Sequence, residues 1–280
     1  MNTIELYDRV CQRASEQTTF AYSTSFSLGI RSLHKRFQNP IHAIYGFVRF
    51  ADEIVDTMHA HDKAKLLQEF REDTERAIEE GISMNPILHS FQRIVNRFHI
   101  EPELYVAFLD SMAMDLTDRS HDQRSYETYI LGSAEVVGLM CLRVFCEGDE
   151  ALYQRLKPSA MKLGAAFQKV NFLRDLKDDH NNLGRTYFPG VDVRHMDRGT
   201  KARIEAEIQR DFNDALHGIR LLPKGARFGV YMAYVYYVSL FNKIRALPTE
   251  RILTERVRVR NRRKLALLTS SWLRHSFGTL

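Results

Sequence analysis

Residues that interrupt helices are scarce in this chain, and nothing else in it restricts the fold so much. Glycine and proline number 14 and 7 among 280 residues, and long stretches contain neither. Within those stretches apolar residues recur three and four apart, the spacing of one helix face. No segment sustains the alternation of a half-buried strand. The spacing predicts one or two helices over 2–32, then helices over 40–58, 63–80, 86–98, 102–116, 125–146, 151–179, 201–222, 227–246 and 256–275. Pro40 suits the first turn of the 40–58 helix, whose apolar positions Ile41, Ile44, Val48, Val55 and Met58 keep to one side. Gly81 and the pair Asn85-Pro86 stop the 63–80 helix. Segment 180–200 has no clear period, and a loop of about twenty residues inside a compact helical domain often serves as a lid or a binding loop. No linker composition and no internal repeat divides the chain, so 1–280 reads as a single all-α domain.

The 40 basic and 35 acidic residues give a net charge of +5. That excess suits an anionic small molecule, an acidic membrane surface or nucleic acid, without choosing among them. Cys11, Cys141 and Cys146 show neither metal-ligand spacing nor a disulfide framework, so a reducing compartment is expected. The N-terminal residues lack a basic start followed by an apolar run, so no signal peptide is expected. The stretch 230–241, read as the most apolar, falls about eight residues short of a bilayer span.

Two segments carry the chemistry, RFADEIVD at 49–56 and QKVNFLRDLKDD at 168–179. With Tyr45 at zero and about 100° per residue, Arg49 falls near +40°, Asp52 near −20° and Asp56 near +20°. From Gln168, Asn171 falls near −60°, Asp175 near −20° and Asp179 near +20°, while Arg174 points elsewhere. Each helix thus carries two carboxylates on one face, about one turn or roughly 5–6 Å apart. Such pairs fit two solvated faces, each compensated by a nearby arginine. They also fit a Mg2+ site, because a hard divalent cation takes one or two carboxylates plus phosphate oxygens and water.

Together with YSTSFSLGI, YILGSAEVVG and GRTYFP, these segments resemble the trans-isoprenyl diphosphate synthases of the squalene/phytoene synthase type. The motifs follow the family's order over nearly the whole chain, and QxxNxLRDxxxD is the most specific. The resemblance implies an all-α isoprenoid synthase bundle with a central cavity. It implies head-to-head condensation of two allylic prenyl diphosphates through a cyclopropylcarbinyl diphosphate, most like bacterial phytoene synthase in carotenoid biosynthesis. Carried over by position, Asp52, Asp56, Asn171, Asp175 and Asp179 would ligate Mg2+, or Mn2+ in its place. Arg49 and Arg174 would bind diphosphate beside Gln168, with Ser23 and Ser25 donating hydroxyls. Tyr45, Tyr129 and Tyr237 would line the cavity, and Arg262 matches a basic position near the family's C-terminal end. Arg185 and Tyr187, in the 180–200 loop over the cavity mouth, would approach the diphosphates. No NADPH is expected for phytoene formation.

Plainer readings stand beside these. Ser23 and Ser25 would serve as a helix cap, Tyr129 and Tyr237 as core aromatics, and Gly132 and Gly138 as points of close helix approach. The arginines of 251–263 would form a solvated face, or draw the enzyme to anionic lipid as a peripheral protein of the cytoplasmic side. Nucleic-acid binding lacks an interleaved aromatic or a known motif. Ile30 lies on the face of Ser23 and Ser27, about 10 Å along the axis from Ser23. It would border the prenyl tail and, being smaller than an aromatic ring, leave room for a C20 chain. Farnesyl-based squalene or dehydrosqualene synthesis, a head-to-tail elongase or terpene cyclase, and a non-catalytic scaffold remain as alternatives. Asp52 to Asp56 is not DDxxD, and all four aspartates are present.

Overall fold

The computed structural model describes residues 3–118, 120–178, 187–191 and 196–252. Asp179, Arg185, Arg262 and the helix expected over 256–275 lie outside the described residues. Along the chain run α1 (Thr3–Tyr22), α2 (Thr24–Arg31), α3 (Lys35–Asp56), α4 (Lys63–Glu80), α5 (Pro86–Phe98) and α6 (Pro102–Thr117). Then come α7 (Gln123–Ile130), a π-helical turn (Leu131–Glu135), α8 (Val136–Cys146), α9 (Glu150–Asp178), α10 (Arg198–Leu221), α11 (Lys224–Arg245) and α12 (Thr249–Ile252). No strand occurs among the described residues.

Local chemistry sets most of the boundaries. Ser23 breaks the N-terminal helical stretch in two, and its Oγ accepts from the Phe26 amide at 3.1 Å as the cap of α2. Asp62 caps α4 and Gly81 ends it at φ +71°, where the missing Cβ removes the left-handed penalty. Pro40 does not open α3. The helix begins at Lys35 with Pro40 inside it, so the missing proline N–H costs one intrahelical bond. The packing of Phe37, which is 1% exposed, holds the added turn. Likewise α10 starts at Arg198, because Asp197 caps it, rather than at 201.

Two apolar clusters share the core. One gathers Phe47, Phe91 and Phe108 between α3, α5 and α6, with Phe47 and Phe91 stacked at 3.9 Å. The other gathers Phe172, Phe212 and Phe241 from α9, α10 and α11. Beneath the second, the Lys169 ammonium donates to Asp211 Oδ2 at 2.6 Å and pairs with Glu207, tying α9 to α10. The run 123–146 is long and apolar enough to cross a bilayer, with a mean hydropathy of 1.6, more apolar than the sequence reading of 230–241 allowed. Its most apolar 18-residue stretch is 61% buried within the protein, and the run serves as a core helix interrupted by the π turn.

Helices close on one another where side chains are absent. A Cβ on Gly132 would meet the Ala107 carbonyl at 2.5 Å, and one on Gly138 the Ala160 carbonyl at 3.0 Å. The close-approach reading of both glycines therefore holds. On α11 a Cβ at Gly229 would collide with the Leu33 side chain and lie 2.8 Å from the Gly29 carbonyl. Leu33 can rotate but the α2 backbone cannot. Gly229→Ala is expected to lower the unfolding free energy by about 1–3 kcal/mol, read as a reduced urea midpoint at constant slope.

A second stability prediction follows from His42, which is 2% exposed on α3. The Thr19 hydroxyl donates to the Ser15 carbonyl at 3.0 Å, so His42 Nδ1–H donates to Thr19 Oγ1 at 2.9 Å. Burial, reinforced by the Arg31 charge, lowers the imidazole pKa from 6.5 to about 4. Above pH 6.5 neither state carries the proton; between 6.5 and about 4 only the unfolded chain binds it. Stability should therefore fall as pH drops through that window, by up to a few kcal/mol. Denaturant midpoints at pH 7 and pH 5 should differ less in His42→Gln than in the wild type.

Candidate active site

Between the two core clusters lies a cavity of about 300 Å³, walled by α2, α3, the π turn, α8, α9, α10 and α11. Its lining is mostly aliphatic, and polar side chains concentrate toward one end, where Tyr45, Gln168, Asn171 and Tyr237 meet. Phe26 joins them, its ring 5.8 Å from Tyr45 and 6.2 Å from Tyr237. The Tyr237 hydroxyl lies 3.2 Å from Asn171 Oδ1, and Asn171 Nδ2 donates to Gln168 at 3.4 Å. Tyr237 also stacks on Phe167 at 3.9 Å. Burial keeps both phenols protonated, raising Tyr237 to about 12 and Tyr45 above its usual value. Tyr45 shares a hydrogen bond with Ser23, so the serine both caps α2 and faces this cluster.

From that end the two acidic helices continue past the cavity. Arg49 follows Tyr45 by one turn of α3 and donates to Asp52 Oδ2 at 2.6 Å. Its guanidinium also pairs with Glu53 and lies 4.4 Å over the Tyr22 ring, while its buried Nε has no partner among the described residues. On α9, one turn beyond Asn171, Asp175 accepts from Arg174 Nε at 3.0 and 3.1 Å. The angular reading sent Arg174 away from the acidic stripe. Its long side chain bends back, and although burial opposes the charge, the Asp175 hydrogen bond raises its pKa. Asp56 is half-buried at the end of α3, and Ser25 is half-buried on α2.

Ile30 is 4% exposed and lines the cavity. Tyr129 departs from the expectation, because it is not among the lining residues. Its hydroxyl donates to Asp115 Oδ2 at 2.7 Å in an aromatic cluster with Phe172 and Tyr187, whose own hydroxyl donates to Asp115 at 3.1 Å. The core-aromatic reading fits Tyr129 better, since its buried ring packs among His121, Phe172 and Tyr187. Sequence reasoning missed Tyr22, Phe26, Phe167 and Asp115. Phe26 and Phe167 sit one residue from positions it did select, and an aromatic has no signature separating cavity wall from core.

The oxygen donors present, Asp52 and Asp56 on α3 and Asn171 and Asp175 on α9, have the hard chemistry Mg2+ prefers. No group of three or more His, Cys, Asp or Glu placed to hold a metal forms among the described residues. A shell of one or two protein carboxylates completed by phosphate oxygens and water is therefore the arrangement this donor set fits.

The squalene/phytoene synthase family model matches residues 20–263. The phytoene synthase of Rhodobacter capsulatus is 28% identical over 268 residues, spanning 89% of this chain and 77% of that relative. The presqualene diphosphate synthase of Zymomonas mobilis is 32% identical over 198 residues, 69% of this chain but only 64% of that relative's length. A dehydrosqualene synthase crystal structure superposes with a TM-score of 0.84 at 20% identity, covering 98% of this chain and 99% of that one, a likeness of fold. Because the family match takes in both acidic helices and the walls of the cavity between them, the chain belongs to the squalene/phytoene synthase family of prenyltransferases.

Proposed function

We propose that this chain joins two geranylgeranyl diphosphates head to head and releases phytoene. The observation that supports it is the reach of the cavity, which runs along α9 from Asn171 to Leu156, fifteen residues apart. At about 1.5 Å per residue that is roughly 22 Å. A prenyl tail with sixteen carbons in line extends about 19 Å, taking roughly 1.25 Å per bond from a C–C length near 1.5 Å. The lining there is Leu142, Phe145, Leu156 and Leu222, with no charged group.

Arg49 and Arg174 would bind the diphosphates and balance the negative charge that grows as each C–O bond breaks. Ser23, Ser25 and Gln168 would donate to diphosphate oxygens. Asp52, Asp56, Asn171 and Asp175, with Asp179, would hold Mg2+ or Mn2+, whose charge further favours departure of diphosphate. The aliphatic wall keeps water from the allylic cation, which water would otherwise quench to an alcohol. The faces of Phe26, Phe167 and Tyr237 would stabilise positive charge near the polar end. The cation adds to the second molecule's double bond, and proton loss gives a cyclopropylcarbinyl diphosphate. Its ionisation, rearrangement and a further proton loss give the C40 hydrocarbon, with two diphosphates released and no reductant consumed. Such a product is insoluble in water, so peripheral contact with an anionic membrane from the cytoplasm is part of this reading.

The similarity to a presqualene diphosphate synthase supports a second reading with C15 substrates. Incubation with farnesyl or geranylgeranyl diphosphate and Mg2+, with and without NADPH, separates the two. The expected product is a C40 hydrocarbon from geranylgeranyl diphosphate without NADPH. Only C30 hydrocarbon, or a C30 diphosphate that accumulates, would overturn the phytoene assignment.

A further inference from the structure

Among the aromatic residues that line the cavity, Phe26, Tyr45, Phe167 and Tyr237 gather near the polar end, and Phe145 stands apart from them. The register of α8 against α9 sets its depth. A Cβ on Gly164 would come 2.5 Å from the Ala134 carbonyl, and one on Gly138 would come 3.0 Å from the Ala160 carbonyl. The two helices therefore run antiparallel, and the next step of four sets Leu142 opposite Leu156. Both line the cavity, and Leu156 is the lining residue of α9 farthest from Asn171. Phe145 lies nearly one turn past Leu142, so it stands at the floor, among Leu33, Ile41, Leu156 and Leu222. Its surface is 7% accessible.

The ring is wedged in place. It meets Phe37 of α3 edge to face, with centroids 5.5 Å apart and planes at 84°. Phe37 is itself buried and is backed by the start of α11, where a Cβ on Gly225 would lie 3.2 Å from its ring. The His34 amide donates to the Gly225 carbonyl at 2.8 Å and holds that corner shut. In a close-packed interior a ring braced this way withdraws only if a helix moves.

We propose that the Phe145 ring is the stop that sets the longest prenyl tail this protein accepts. The inference rests on the prenyl condensation proposed above, though not on which chain length that reaction prefers. The ring reaches roughly 4 Å beyond its Cβ, and one more isoprene unit adds four carbons in line, about 5 Å. Removing the ring therefore frees nearly one unit. A C25 tail, with twenty carbons in line, extends about 24 Å and exceeds the roughly 22 Å of the cavity. Its last unit would have to take the place of the ring.

The test offers farnesyl, geranylgeranyl and geranylfarnesyl diphosphates singly, with Mg2+, to the wild type and to Phe145→Ala, Phe145→Leu and Phe91→Leu. Hydrocarbon formation is followed as kcat/KM for each chain length, alongside thermal unfolding. Phe91→Leu is the control, because Phe91 is buried in the core but does not line the cavity. The alanine variant is expected to gain about tenfold or more, relative to the wild type, in preference for the diphosphate one unit longer than the longest the wild type uses. Leucine should shift the same way by less, and it decides the matter if the alanine variant does not fold. Phe91→Leu should lose stability with no shift in length. An unmoved preference in a folded Phe145 variant, an equal shift in Phe91→Leu, or a wild type that uses the C25 substrate as well as the C20 would overturn the proposal. A wild type that makes no hydrocarbon from any of the three would instead defeat the condensation reading on which it rests.

Discussion

Asp52→Asn and Asp175→Asn are each expected to lower turnover by about a thousandfold or more while the helical circular dichroism stays unchanged. Each carboxylate already has a cation beside it, Arg49 for Asp52 and Arg174 for Asp175. Both pairs are partly exposed, with Asp52 37% and Asp175 19% accessible. Such pairs contribute about 0–1 kcal/mol, so the amide should move the melting temperature little in either direction. The catalytic loss has a different origin. An amide keeps the shape but removes the negative charge that a divalent cation requires, and the arginines alone would face two diphosphates. Wild-type-like turnover in either folded variant would remove that aspartate from the metal assignment.

Ile30→Phe is expected to raise the ratio of C30 to C40 hydrocarbon when farnesyl and geranylgeranyl diphosphates compete. Ile30 borders the cavity beside Gly29 on α2 and Leu33 just past its C-cap. The ring cannot be relieved by moving α2 outward without cost, because Leu33 and Gly29 are packed against Gly229 of α11. The added volume must then enter the cavity, at a cost of about 1–3 kcal/mol against a filled site. The shorter tail avoids that contact. An unmoved ratio in a variant that folds normally would take Ile30 out of the tail pocket.

The identity of α3 and α9 as carriers of the acidic face could be read from spacing, since residues four apart on a helix share a face wherever the helix goes. The same rule misjudged Arg174, because it fixes where a Cβ leaves the axis and not where a long, flexible side chain ends. It could not separate Tyr129 from Tyr237 either. Both are aromatic, buried and on helices, yet one donates to Asp115 away from the cavity lining and the other reaches Asn171 at the polar end of the cavity. Which side of a buried ring faces the cavity depends on the neighbouring helices, and the π turn at 131–135 re-aims one of those by an extra residue.

Helix content, the position of most helix ends, the two acidic faces and family membership follow from the sequence alone. They rest on interactions within about one turn of chain: cap hydrogen bonds, backbone limits at proline and glycine, and the 100° step between side chains. The tertiary structure decided that α3 begins a turn before Pro40, that glycines at 132, 138 and 229 let helices approach, and that both acidic helices pass the same end of one cavity. It also left the Ser133 hydroxyl buried without a partner among the described residues. These outcomes turn on contacts between residues far apart in the chain, where burial energy overrides local preference and no fixed spacing records which surfaces will meet.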